Sequence, residues 1–139
     1  MIGDQCLTQR GGSVFSVYLR TLVTPDALAD YLRERDCRTI VHLAGPLPGD
    51  SNADIVATEL AQRVAGAAKS LDECHIIFSS SIRVHSRDEG VFGADSKVAP
   101  FDAYGAGKAS GEEGFLGGGN GNNPVSILRI FSLRGVGSK

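Results

Sequence analysis

The chain of 139 residues has no tryptophan, a single methionine and only three cysteines. Cys6, Cys37 and Cys74 are odd in number and widely spaced, with no CxxC pair. That excludes a disulfide framework and a zinc knuckle, and leaves them as small buried or partly buried thiols. Cys74-His75 with His42 and His85 shows no recurrent ligand spacing, so no metal is expected. Neither sign of charge dominates: 14 basic and 16 acidic residues are spread along the chain for a net charge of -2. This offers no basic stripe for nucleic acid and no polybasic anchor for a membrane. No apolar run approaches the ~20 residues of a membrane helix, and the opening MIGDQCLTQRGG is too polar for a signal peptide. A cytoplasmic protein is expected.

What is present is a 42% hydrophobic content, enough for one domain with a real core. VFSVYL (14 to 19) is β-branched and aromatic and follows the turn-forming pair Gly11-Gly12, which predicts a strand. Thr24 offers an N-cap hydroxyl, Pro25 suits the first helical position, and Leu28, Tyr31 and Leu32 recur at helical spacing. TIVHLAG (39 to 45) reads as a strand feeding a proline-rich loop. From Ala53 to Lys69 the small and apolar residues fall on one side of a helix, and HIIFSSS (75 to 81) is a buried strand that turns polar. A long loop follows, then a helix over 103 to 116, a flexible GGGNGNN (117 to 123), and a last strand in PVSILRIF (124 to 131).

The order β-α-β-α-β-α-β, with strands apolar on both faces, predicts an α/β fold: a partial doubly wound, Rossmann-like parallel sheet of about four strands with crossover helices. Residues 14–139 form this domain, and residues 1–13 are expected to be disordered or irregular. Ligands of such sheets bind beyond the carboxyl ends of the strands. Here those ends are Thr21-Leu22, Ala44-Gly45, Ser79-Ser80-Ser81 and Phe131-Ser132.

AYGAGKASGEE (103 to 113) places Tyr104 and Lys108 one helical turn apart, with glycines between them. A tyrosine loses its proton only near pH ~10, and a cation on the same helix face favours the phenolate. A serine at the end of the neighbouring strand can donate to the same substrate oxygen. Such a trio moves a proton on and off an oxygen while a cofactor moves the hydride.

TLVTPDALADYLRERDCRTIVHLAG, DIVATELAQRVAGAAKS, HIIFSSSIRVHS, YGAGKASGEE and SILRIFSLRGVG, in that order, resemble the extended short-chain dehydrogenase/reductases. The likeness is to the NAD-dependent epimerase/dehydratase group, of the UDP-glucose 4-epimerase kind. The resemblance implies catalysis by Ser81, Tyr104 and Lys108, with Lys108 lowering the Tyr104 pKa and holding the nicotinamide ribose. It implies NAD or NADP contacts at Thr21, Leu22, Leu43, Ala44, Gly45, Ser79 and Phe131, and substrate contacts at Ser81 and Ser132. Leu43 and Phe131 are equally readable as plain core. The implied substrate is a nucleotide sugar or related small molecule, and a homodimer is compatible with the resemblance. The glycines between Tyr104 and Lys108 are expected to let the helix approach the cofactor closely.

Several positions depart from the family. Thr21 stands where an aspartate usually reads adenine, Asp54 where an asparagine is common, His85-Ser86 where Tyr-Gly is usual, and Ser132 where asparagine is frequent. Nothing before Val14 matches the GxxGxxG turn that holds the pyrophosphate. The chain therefore reads as the middle of a longer enzyme, or alternatively as a non-catalytic remnant or binding module unable to hold a dinucleotide. Without two intervening strands, VFSVYL is expected to pair directly and in parallel with TIVHL, or to dock loosely.

Overall fold

The computed structural model describes residues 5–10, 13–19, 24–86, 90–117 and 123–131. Its elements run β1 (Gln5–Arg10), β2 (Ser13–Tyr18), α1 (Pro25–Glu34), β3 (Thr39–His42), α2 (Ala53–Lys69), β4 (His75–Ser81), α3 (Ala103–Leu116) and β5 (Val125–Ile130), with a 3-10 turn at Ile82–Val84.

Local chemistry accounts for the helix boundaries. Thr24 Oγ1 accepts from the Ala27 amide at 3.2 Å, and Pro25 opens α1, which buries Leu28, Ala29 and Leu32. Asp36, at φ 47°, takes the left-handed turn beyond the helix that an aspartate tolerates better than most residues. The α2 face expected from its small residues is the buried one, including Ala57, Leu60, Ala61, Val64 and Ala68. Short side chains there let α2 lie closely between α1 and α3.

The sheet order is β2-β1-β3-β4-β5. β3, β4 and β5 are parallel, with Ile40 opposite Ile76 and Phe78 opposite Ile127. This parallel run and its crossover helices are the expected α/β, Rossmann-like part. The three helices pack in a row against the face carrying Ile40, His42, Ile76 and Phe78, all at most 2% exposed. On the other face Val41 and Ile77 are partly exposed.

Two expectations are corrected at the opposite edge. Residues 5–10, expected to be irregular, form β1, which pairs antiparallel with β2 (Arg10 opposite Ser13). β1 also pairs antiparallel with β3 (Cys6 opposite His42), so β2 neither pairs directly with β3 nor docks loosely. The physical reason is locality: two extended runs separated by the pair Gly11-Gly12 favour a hairpin, whose closure costs far less chain entropy than a distant pairing. A third correction concerns Asn123, expected within a flexible connection. Its Oδ1 accepts from the Cys74 amide at 2.8 Å, and its Nδ2 donates to the Ala68 and Leu71 carbonyls. It thereby ties the end of α2 and the start of β4 to the lead into β5.

Candidate active site

β4 ends at Ser81 and α3 begins at Ala103, and the first turns of α3 pack against the carboxyl end of β4. Asp102 caps α3, its Oδ1 accepting from the Gly105 amide at 2.8 Å. This fixes the turn that carries Tyr104. The phenol is half-buried, with the Ser81 hydroxyl close enough to favour its ionised form. One turn on, Lys108 is 4% exposed and its Nζ donates to the Ser79 carbonyl at 2.7 Å. The structure therefore brings Ser79, Ser81, Tyr104 and Lys108 together.

Gly45, at the end of β3, joins them: a methyl group there would lie 3.4 Å from Lys108 Nζ. Ala44 is buried in the core, while Leu43 and Phe131 are 42% and 62% exposed, so neither is a core residue. Phe131 lines a cleft of about 450 Å³ with Ile82, His85, Phe92 and Arg129. Thr21, Leu22 and Ser132 lie outside the described residues.

The electrostatics are set mainly by burial. Removal from water holds the Lys108 ammonium down at about 8. The expected lowering of the Tyr104 pKa by Lys108 is not seen: burial is again the largest effect and raises the phenol above its ordinary value, Arg83 opposes this, Asp102 adds to it, and the Ser81 hydroxyl opposes it. The ammonium of Lys108 sits 5.9 Å from the Tyr104 ring centre. Beneath the site His42 is 1% exposed, stacked on Phe78 at 5.4 Å, with no hydrogen-bond partner for Nδ1. Burial, aided by Lys108, lowers its pKa to about 3. It is a neutral ring at physiological pH.

The glycines of α3 serve a different end from the one expected. A Cβ on Gly105 would strike the Arg83 carbonyl, one on Gly107 the backbone of Asp54 and Ala53, and one on Gly111 the Phe78 ring. The room they leave is filled by the 3-10 turn, α2 and β4.

Several neighbours of the site were not among the expected residues. Glu112, one turn beyond Lys108 and 3% exposed, accepts from Ser80 Oγ at 2.5 Å and takes a bidentate pair from Arg129 (Nη2 to Oε2, 2.8 Å). Arg129 Nη1 reaches the Ala94 carbonyl at 3.0 Å and His85 Nε2 at 3.4 Å, and His85 Nδ1 meets the Lys97 carbonyl at 2.9 Å. This chain of bonds pins the loop after β4 against β5. The sequence signal was present in the spacing Tyr104, Lys108, Glu112, a single helical stripe.

The fold and this constellation define the class: the described chain carries, in part, the extended short-chain dehydrogenase/reductase fold of the NAD-dependent epimerases and dehydratases. Among solved structures it is similar to UDP-glucuronic acid 4-epimerase from Bacillus cereus in complex with NAD, at 26% identity and TM-score 0.64 over 76% of this chain and 35% of that one. It is likewise similar to MoeE5 in complex with UDP-glucuronic acid and NAD, at 25% identity and TM-score 0.69 over 81% of this chain and 40% of that one. A dTDP-4-dehydrorhamnose reductase from Bacillus anthracis in complex with NADP shares the fold at 20% identity and TM-score 0.69, over 79% of this chain and 40% of that one. The chain thus spans between a third and two fifths of the length of these structures. No family model and no curated protein matches it.

Proposed function

We propose that this chain is the catalytic portion of an NAD(P)-dependent oxidoreductase of the sugar-nucleotide epimerase/dehydratase type. The observation that carries the reading is the convergence of Ser81, Tyr104 and Lys108 at the carboxyl end of a parallel sheet. Extended short-chain dehydrogenase-like neighbours hold NAD or NADP, and two of them UDP-linked sugars. The residues here fit the nicotinamide end of such a cofactor. A lysine ammonium has three donors; the Ser79 carbonyl takes one, and Gly45 leaves that side of the ammonium without a side chain. Lys108 would hold the ribose, with the backbone at Leu43, Ala44, Gly45 and Phe131 and the Ser79 side chain around the ring.

A bound nicotinamide supplies reversible hydride chemistry. As the phenolate, Tyr104 Oη would take the proton of a sugar hydroxyl as that carbon is oxidised and its hydride passes to the nicotinamide, and would return it when the carbonyl is reduced again. Ser81 Oγ, which accepts from the Arg83 amide at 3.2 Å, keeps its own proton for the same substrate oxygen. The site is proposed for a nucleotide sugar, in a cytoplasmic protein compatible with a homodimer.

A second reading is favoured by one observation. The strand beside β3 is the antiparallel β1, whose amino end lies opposite His42, and among the described residues no strand-to-helix glycine turn stands there to hold a pyrophosphate. A non-catalytic member that cannot retain a dinucleotide would look like this. Calorimetric titration of the chain with NAD(H) and NADP(H) separates the two. Micromolar binding, with turnover lost in Tyr104→Phe, supports the enzyme; no binding of either cofactor overturns catalysis by this chain.

A further inference from the structure

Tyr104 is faced by charged groups from each element packed around it: Lys108 on its own helix, Asp102 at the helix cap and Arg83 from the 3-10 turn, with the Ser81 hydroxyl from β4. Lys108 donates to the Ser79 carbonyl and lies 5.9 Å from the Tyr104 ring centre. Arg83 is at a like distance but is held there by an ion pair with the helix cap. Its guanidinium pairs with Asp102, lies 5.7 Å from the centre of the Tyr104 ring and 5.5 Å from that of Phe101. Its backbone meets the same group of residues: the amide donates to Ser81 Oγ, and the carbonyl is the surface that Gly105 admits.

We propose that Arg83 is a positioning residue for Tyr104: with Asp102 it forms an ion-pair clamp that seats the phenol beside Ser81 and supplies the permanent positive charge facing it. The proposal rests on the reading of Tyr104 as the proton-transfer group. An arginine suits the task because its guanidinium stays charged at any pH the protein meets, and its planar fork can pair with a carboxylate while lying over a ring. Asp102 has two opposed effects. It fixes Arg83 and caps α3, yet its own charge disfavours the phenolate, so the pair partly cancels at the phenol. Replacing either partner should therefore move Tyr104 in opposite directions, which a merely structural contact would not do.

The full chain alone suffices for the test, without cofactor, so its result is independent of whether a dinucleotide binds. With only three tyrosines, ring-labelled tyrosine followed by NMR gives resolvable signals, and Tyr104→Phe assigns the one that matters. Arg83→Gln keeps the backbone contacts and should raise the Tyr104 pKa by up to about two units, the upper limit for one charge at this distance near a protein surface. Asp102→Asn preserves a capping side chain and should lower it, and Arg83→Lys, whose ammonium loses its charge in the same pH range, should restore only part of the parent titration. These three results together support the clamp. A Tyr104 titration unchanged in Arg83→Gln, or shifted the same way by Arg83→Gln and Asp102→Asn, overturns it.

Discussion

Gly107 is the position where α3 presses hardest on α2. A Cβ built there lies 2.8 Å from the Ala57 Cβ, 2.8 Å from the Asp54 Cα and 2.9 Å from the Ala53 carbonyl oxygen. Two of those three atoms are backbone, so they cannot rotate away, and relief to an ordinary 3.4 Å contact requires α3 to lift by about half an ångström. Overpacking of that kind costs about 1–3 kcal/mol. Against it stands the helix preference for alanine over glycine, about 1 kcal/mol. Gly107→Ala should therefore be destabilised by up to about 2 kcal/mol, or up to about 8 °C in Tm for a chain of this size. Gly114 is the internal control: it is in the same helix, and nothing lies within 4 Å of its Cβ. Gly114→Ala should be stabilised by up to about 1 kcal/mol. Denaturant unfolding followed by circular dichroism measures both. Equal shifts of the same sign would refute the claim that the glycines of α3 exist for close packing.

Two pH predictions follow from the buried bases. His42 has a folded pKa near 3 against an ordinary 6.5, so the unfolded chain binds the extra proton and stability falls as pH drops below 6.5. The loss should reach about 2 kcal/mol by pH 5, and denaturant unfolding of His42→Leu should show a flatter acid limb. Lys108 acts with the same sign in a higher pH window. Its folded pKa near 8 lies below the ordinary 10.5, so the cost of burying its charge is present below pH 8 and relieved as pH rises toward 10.5. The gain between pH 7 and 9 should be about 1 kcal/mol, and Lys108→Met should abolish it; a parent curve that declines over that interval would contradict the burial of a charged Lys108.

Much of the fold could be read from the sequence because its signals are local. The cap at Thr24, the small face of α2 and the polar ending of HIIFSSS each lie within a few residues of the structure they dictate, and α2, β4 and α3 run over the expected spans. The convergence of Ser81 and Tyr104 was equally readable, since a parallel crossover returns the helix to the strand end it left. What escaped was long in range or neutral in periodicity. Glu112 and Arg129 are 17 residues apart and look like ordinary surface charges until β5 pairs with β4. Arg83 follows the serine strand in a 3-10 turn, where no pattern distinguishes a clamp from a solvated arginine.

The edge of the sheet shows how local and distant preferences compete. Read through family resemblance, VFSVYL belongs one side of a gap and TIVHL the other; read through polymer physics, a glycine pair between two extended runs closes a hairpin first. The hairpin prevails, and β1 then satisfies the β3 edge by antiparallel hydrogen bonds that would otherwise face water. This leaves the parallel run from β3 to β5 undisturbed, because each of its pairings depends on a crossover helix and not on what flanks β3. The residues proposed for proton transfer stand at the carboxyl end of that run and on the helix after β4, whereas a dinucleotide's phosphates would depend on the strand beside β3. The two requirements of the proposed reaction thus rest on separate parts of the sheet, and cofactor titration interrogates one while Tyr104 ionisation interrogates the other.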